Sequence, residues 1–190
     1  MDSTGSSAHV HLSVHSQGEH KEVEKLSPSE SSFLSGVLEH LPALPAITLP
    51  IPASYKRMMD GVWSGGTYVG WGTENREAPV RLVNATSPSS RRFEMRFVDG
   101  TANPYLALTA IVSAGMAGIK AKTPLTVKDI PGPIAAAQMS EEERRSYGVV
   151  KRLPLSWQEA RDNLAKDAVL EEAFGHEFMV KYLAVNKVRI

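Results

Sequence analysis

A short segment of alternating charged and apolar residues constrains the fold of this chain more than any other feature. The segment is residues 92–97, which read RFEMRF. Because successive side chains of a β-strand point to opposite faces of the sheet, this pattern predicts a strand with one aromatic face. The opposite face carries Arg92, Glu94 and Arg96. The aromatic face is expected to be buried in a hydrophobic core.

The charged face of this strand has two interpretations. A carboxylate between guanidinium groups is either ion-paired on a solvated sheet surface or reserved for a metal ion. Further arginines at Arg57, Arg76 and Arg81 fall on predicted strand ends or loops. Arginine suits planar recognition of carboxylate and phosphate, and several converging guanidinium groups are costly unless anions lie between them. The residues alone leave a salt-bridged surface and an anion site both open.

Length and composition exclude several classes of function. The 190 residues are enough for one domain, which we place at 1–190. Lys plus Arg and Asp plus Glu both number 21, so there is no basic excess of the kind that marks nucleic-acid or membrane-surface binding. Cysteine is absent, which excludes disulfides and thiolate chemistry. No apolar run approaches the roughly 20 residues of a membrane span, and no secretory signal pattern is present, so a soluble, cytoplasmic protein is expected.

A second alternating segment lies near the start of the chain. In residues 8–15, AHVHLSVH, the even positions are predicted to share an apolar face, and the odd positions include His9, His11 and Ser13 on the other. Two imidazoles on one strand face could bind a metal or contact phosphate. Two histidines alone are also typical of a solvated strand face, and no third ligand lies nearby in sequence.

Helix signals flank these strands. Ser27 and Glu30 form a capping-box pattern, which predicts a helix that ends before Pro42. Residues 42–53 contain four prolines and are predicted to form an extended connector. Residues 105–120 are apolar on almost all sides, which is typical of a buried helix.

The remaining elements follow from weaker signals. Residues 67–72 and 80–83 are predicted strands. Capping patterns begin two helices at Ser140 and Ser156, and residues 175–187 are predicted to form a final helix.

Ordered motifs give the chain a resemblance to a known family. It resembles the C-terminal part of the glutamine synthetase catalytic domain over residues 5–106, and the helical tail follows. The motifs are GSSAHVHLS at 5–13, Asn75-Arg76 with Arg81, and RFEMRFVDGTANPYL at 92–106. The segment WGTENREAP at 71–79 is most similar to the corresponding segment of glutamine-synthetase-like domains of fungi and plants.

The resemblance implies both a fold and a reaction. The fold is an α+β, partial glutamine synthetase/guanido kinase-type catalytic domain, with a mostly antiparallel sheet and helices on one face. The reaction is that of an ATP-dependent ligase of glutamine biosynthesis and nitrogen metabolism, which joins the γ-carboxylate of glutamate to ammonia or an amine through γ-glutamyl phosphate. The implied cofactors are Mg²⁺ or Mn²⁺ with ATP as co-substrate. A homo-oligomer is implied, with no nucleic-acid or membrane partner.

The resemblance also assigns roles by motif position. Two residues would be metal ligands (His9 and Glu94), two would contact the nucleotide (His11 and Ser13), two would be catalytic and hold the ATP phosphates (Arg76 and Arg81), and three would bind the amino-acid substrate (Gly5, Arg57 and Arg96).

The chain departs from the family pattern in its predicted flap loop. The family motif there is G-Y-E, whose glutamate helps to bind and deprotonate ammonium, whereas this chain reads Gly61-Val62-Trp63. Loss of that carboxylate is expected to weaken ammonium binding, and an indole face could accept a bulkier amine or a cation. Trp63 therefore favours a γ-glutamyl–amine or polyamine ligase as an alternative to a glutamine-forming enzyme. Thr4 and Ser89 also replace an asparagine and a lysine of the family.

The family domain has strands and metal-binding glutamates before the H-x-H strand that have no counterpart in these residues. We therefore expect a chain truncated on its N-terminal side, with negligible turnover by itself. A function of another class is then also open, in which a non-catalytic pseudo-enzyme acts as a structural or subunit-interaction module.

Overall fold

The computed structural model of the chain describes residues 7–23, 25–61 and 65–187. The residues Thr4, Gly5, Val62 and Trp63, which were named above, lie outside these ranges. The order of the elements is that of an α+β protein: one strand, helical segments, three strands, and then a series of helices.

The strands form one four-stranded sheet in the order β1-β4-β3-β2. Their bounds are β1 Ser7–Leu12, β2 Trp71–Thr73, β3 Val80–Val83 and β4 Arg92–Asp99. The central strand β4 is antiparallel to both β1 and β3, while β2 is parallel to β3 at the far edge. The prediction of a mostly antiparallel sheet is confirmed, with one parallel pairing. The predicted strand at 67–72 is shorter and later than expected, since β2 begins only at Trp71.

Helices follow the strands in both halves of the chain. Their bounds are α1 Pro28–His40, α2 Pro45–Thr48, α3 Pro104–Ala121, α4 Glu141–Ser146, α5 Trp157–Leu164, α6 Ala168–Phe174 and α7 His176–Lys187, with 3₁₀ helices at Pro52–Arg57 and Ala136–Gln138.

The aromatic face of β4 forms one side of the hydrophobic core. Phe93 stacks on Phe33 of α1 with ring centroids 6.3 Å apart. The hydroxyl of Thr48 in α2 donates to the carbonyl oxygen of Phe97 at 2.6 Å. Helices therefore cover the face that the alternating pattern predicted to be buried, and the charged face of the sheet is turned away from them.

The start of α1 is as predicted. The Ser27 backbone N–H donates to the Glu30 carboxylate at 2.8 Å, and the Glu30 N–H donates to the Ser27 hydroxyl at 3.2 Å. These two bonds satisfy backbone donors that the helix itself leaves open.

Helices α1 and α3 approach so closely that their contact requires glycine. A Cβ added to Gly36 would lie 2.3 Å from the carbonyl oxygen of Ala114, and one on Gly118 would lie 2.2 Å from that of Ser32. Side chains would force the two backbones apart. This contact fixes α1, which in turn holds the core face of β4.

The segment 42–53 was predicted wrongly as an extended connector. It contains α2 and leads into the 3₁₀ helix, and Leu44 and Ile47 are 0% and 2% exposed. Proline is compatible with the first turn of a helix, where its missing N–H would have no partner anyway. Burial of the apolar residues between the prolines decided the conformation.

The prediction that residues 105–120 form a buried helix holds for only one side of α3. Tyr105, Leu108, Val112 and Met116 form an exposed stripe along one side, with Tyr105 81% exposed. Within the described ranges, α3 is the helix whose length and composition would suit a membrane span, with a mean hydropathy of 1.3 over 18 residues. Core helices of soluble proteins pass the same test, and α3 packs its other side against α1.

Candidate functional site

The charged face of the sheet brings side chains from three strands together. Glu94 on β4 is the register partner of both His11 on β1 and Arg81 on β3. Directly opposed residues of antiparallel strands share a face, so these three side chains project to the same side. Arg96 lies two residues after Glu94 on β4, and His9 lies two residues before His11 on the antiparallel strand β1.

A β-bulge brings His9 to this group. Ala8 pairs with Val98 but Val10 pairs with Met95, so His9 alone faces two residues of β4. Bulges bend a strand and change the direction of a side chain. Here the His9 Nδ1 lies 2.8 Å from the Glu94 Oε1.

The Glu94 carboxylate is the centre of the site. Its Oε1 is also 2.8 Å from the Arg96 Nη1, and its Oε2 is 2.7 Å from the Arg81 Nε. The Arg81 contact is an ion pair whose N–H is not aligned for a hydrogen bond. The Glu94, Arg96 and Arg81 side chains are 5%, 6% and 14% exposed. The charged side chains Glu94, Arg81 and Arg96 are thus ion-paired, as one interpretation of this strand face expected. They are buried, however, so the part of that interpretation that placed them on a solvated surface is wrong.

His9 is electrically neutral near pH 7 in this environment. Burial and the Arg96 charge lower its pKa below the ordinary value, and this outweighs the opposite effect of Glu94. A carboxylate can only accept, so the proton on Nδ1 is donated to Glu94 and Nε2 keeps its lone pair.

His9 and Glu94 fit two positions of a divalent-cation site. Mg²⁺ prefers octahedral coordination at about 2.0–2.1 Å, so adjacent ligands lie about 3 Å apart. The His9 Nδ1 donates to the Glu94 Oε1 at 2.8 Å, which leaves the lone pair of the His9 Nε2 and the carboxylate oxygens of Glu94 as the candidate ligand atoms of these two neighbouring side chains. Among residues 7–23, 25–61 and 65–187 no group of three or more His, Asp or Glu converges, so these residues supply two ligands.

Arg57 is held at the end of the same strand. It is the last residue of the 3₁₀ helix, and its Nη2 lies 3.1 Å from the Oδ2 of Asp99, the last residue of β4. Asp99 is three residues beyond Arg96, so both predicted substrate-binding arginines are attached to β4. No role was predicted for Asp99, although it lies within the motif at 92–106.

The two residues assigned to the nucleotide lie on or just after β1. The His11 Nδ1 accepts a hydrogen bond from the Arg92 Nε at 3.2 Å, which leaves the proton on its Nε2. Ser13 follows β1 and is exposed.

Arg76 differs from the other arginines of the site. It is exposed in the loop between β2 and β3, and its side chain makes no ion pair or hydrogen bond with the described part of the chain. The structure therefore does not join it to the Glu94 group.

Arg91 lies outside the site even though it precedes the charged strand. It is 1% exposed, and its Nη2 lies 2.6 Å from the Oε2 of Glu30 on α1. Arg91 and Arg92 are adjacent, yet one lies in the core and the other beside His11.

Comparison with known proteins gives one family. The model described as glutamine synthetase, catalytic domain, matches residues 1–189. The chain is 38% identical to protein fluG of Emericella nidulans over 185 residues, which is 96% of this chain and 19% of that protein. It is 36% identical to the γ-glutamylpolyamine synthetase GlnA3 of Streptomyces coelicolor, covering 96% of this chain and 40% of that one. It is 39% identical to the glutamine synthetase of Pyrococcus abyssi, covering 92% and 39%.

A solved structure agrees with these matches. The structure described as GmaS/ADP complex-Conformation 1 superposes with a TM-score of 0.77 at 28% identity, covering 98% of this chain and 42% of the other. The chain thus spans less than half the length of each of these relatives.

Proposed function

Because this chain belongs to the glutamine synthetase family, as part of its catalytic domain, we propose that it contributes to an ATP-dependent carbon–nitrogen ligase. The reaction joins the γ-carboxylate of glutamate to ammonia or an amine. The observation that carries this proposal is the buried Glu94 carboxylate in contact with His9, Arg81 and Arg96. Such a group combines metal ligands with cations that suit phosphate and carboxylate.

The reaction has two steps with different demands. A γ-carboxylate oxygen of glutamate attacks the γ-phosphorus of ATP, ADP leaves, and γ-glutamyl phosphate forms. The amine nitrogen then attacks the acyl carbon, phosphate leaves, and the nitrogen loses a proton. The first step places negative charge around the transferring phosphoryl group, so catalysis depends on fixed positive charges.

The residues of this chain meet these demands in separate ways. Arg81 on β3 and the exposed Arg76 would neutralise the phosphate oxygens. Arg96 and Arg57 would hold the carboxylates of glutamate. His9 and Glu94 would hold Mg²⁺ or Mn²⁺, which supplies further neutralisation of phosphate charge when bound.

Replacing Arg76 with alanine tests the nucleotide role. Each charge-assisted hydrogen bond contributes about 1.5–3 kcal/mol, so we expect Mg·ATP affinity to fall at least about tenfold by isothermal titration calorimetry. Arg76 is exposed and has no partner in the described ranges, so the variant should keep its fold. Arg145→Ala, which removes an exposed arginine paired with Glu141 on α4, is the control and should bind Mg·ATP as the wild type does.

The outcome also separates the two classes of function. Mg·ATP binding that is equal in both variants would remove Arg76 from the nucleotide site. A wild-type chain that binds no Mg·ATP at all would favour the non-catalytic structural module.

The acceptor is proposed to be an amine larger than ammonia. Trp63 takes the place of the family's ammonium-binding glutamate, and one relative is a γ-glutamylpolyamine synthetase. In a full-length ligase of the family that carries this sequence, Trp63→Glu is expected to raise the rate with ammonium relative to larger amines. A panel of ammonium, monoamines and polyamines measures this ratio. An unchanged ratio would contradict this role of Trp63.

A further inference from the structure

Asp99 is a buried carboxylate whose hydrogen-bonding capacity is filled from three places. It is 4% exposed. Its Oδ2 accepts from the Ser54 hydroxyl and from the Arg57 Nη2, the latter at 3.1 Å. Its Oδ1 accepts from the Thr101 N–H at 2.9 Å and from the Thr101 hydroxyl. A buried carboxylate that makes four such contacts has a fixed position.

Asp99 holds the 3₁₀ helix at two points one turn apart. Ser54 and Arg57 belong to the helix Pro52–Arg57 and are three residues apart. In a 3₁₀ helix residues i and i+3 are eclipsed, so both side chains project to the same side. Both reach the same oxygen of Asp99, which attaches the helix to the end of β4.

The charge of Asp99 supports this arrangement. Burial raises the pKa of Asp99, but hydrogen bonds from Ser54, Thr101 and Arg57 lower it by more. The net pKa is therefore below the ordinary value. Asp99 is therefore ionised at neutral pH. Its negative charge compensates the positive charge of the Arg57 guanidinium, whose planar shape suits recognition of carboxylates.

We propose that Asp99 is a positioning residue, which orients Arg57 for recognition of a substrate carboxylate. The proposal rests on the function proposed above, because it takes Arg57 to be part of the glutamate site. Asp99 acts through Arg57, and the contact to Ser54 keeps the turn that carries Arg57 in register. Arg96 comes from the same strand, so one rigid element sets the positions of both substrate-binding arginines.

The first test compares two ligands in the Asp99→Asn variant. We expect the affinity for glutamate to fall at least tenfold by calorimetry, while the affinity for Mg·ATP stays within twofold of the wild type. Loss of a purely structural contact would instead weaken both ligands in proportion to the unfolded fraction. Thr101→Val is the matched control, because it removes a donor to Oδ1 and leaves the Oδ2 contacts to Ser54 and Arg57. It should leave glutamate affinity within about threefold.

A double-mutant cycle tests the contact without any ligand. Asp99→Asn, Arg57→Met and the double variant are compared by urea unfolding, and we expect the two changes to be coupled by at least fivefold in the unfolding constant. Additive effects would overturn the proposal. Glutamate binding that Asp99→Asn leaves unchanged would also overturn it. If the cycle shows coupling between Asp99 and Arg57 but the wild-type chain binds no glutamate, the proposed function is overturned, and with it the substrate role of this pair.

Discussion

Replacing Arg91 with methionine is expected to lower the free energy of unfolding by about 3–5 kcal/mol, as when one partner of a buried ion pair is removed. Arg91 and Glu30 are each 1% exposed. The Arg91 Nε and Nη2 donate to the two Glu30 oxygens at 3.2 and 2.6 Å, and its Nη1 donates to the Glu22 carbonyl at 2.7 Å. The variant leaves the Glu30 charge inside the protein with Lys21, 2.9 Å away, as its remaining cation.

Urea unfolding followed by circular dichroism measures this effect. Arg145→Met breaks the exposed pair with Glu141 on α4 and should cost at most about 0.5 kcal/mol. The double variant Glu30→Leu, Arg91→Met should regain part of the loss, because the Glu30 charge no longer remains buried without Arg91, and the buried Lys21 Nζ limits the recovery. A loss in Arg91→Met no larger than in the control would show that Lys21 compensates Glu30 alone.

The same pair predicts how stability changes in acid. Burial raises the pKa of Glu30, but hydrogen bonds from Arg91, the Ser27 N–H and Lys21 outweigh it, so its folded pKa is below the ordinary value. The stabilisation is therefore fully present above the unfolded pKa of about 4.3 and is lost as the pH falls through the folded pKa. Arg91→Met should reduce the slope of stability against pH below about pH 4.

The sequence predicted the local part of the fold well. Strand β4 and its two faces follow from alternation, and the start of α1 follows from the Ser27 capping box, because both patterns depend on residues within a few positions. The environments of Arg91 and Arg92 could not be predicted in this way. The partner of Arg91 is Glu30, 61 residues earlier in the chain, and only the packing of α1 on the sheet brings them together.

For the candidate site, too, the sequence identified residues but not the long-range contacts that bring them together. The motifs named His9, Glu94, Arg81 and Arg96, and the structure places these four in contact. The β-bulge that directs His9 towards Glu94 leaves no signal in the residues around it. Asp99 was missed for the same reason as Arg91, because its partner Ser54 is 45 residues away and no local pattern connects them.

Replacing Glu94 with glutamine is expected to have two separable effects. The first is a loss of about 3 kcal/mol or more in the free energy of unfolding, because Arg81 and Arg96 lose their shared carboxylate in a buried site. The second is loss of stabilisation by ligand. A ligand at 100 times its Kd stabilises the folded state by about 2.7 kcal/mol, so Mn·ATP should raise the unfolding midpoint of the wild type but not of the variant.

Glu74→Gln is the matched control for this experiment. Glu74 also lies near Arg81, with its Oε2 4.0 Å from the Nε, but its side chain is 54% exposed. It should change stability by at most about 1 kcal/mol and keep the full response to Mn·ATP. A Glu94→Gln variant that is destabilised but responds to Mn·ATP as the control does would show that Glu94 only pairs the arginines. Loss of both stability and response would show that the same carboxylate organises the sheet face and completes the cation site.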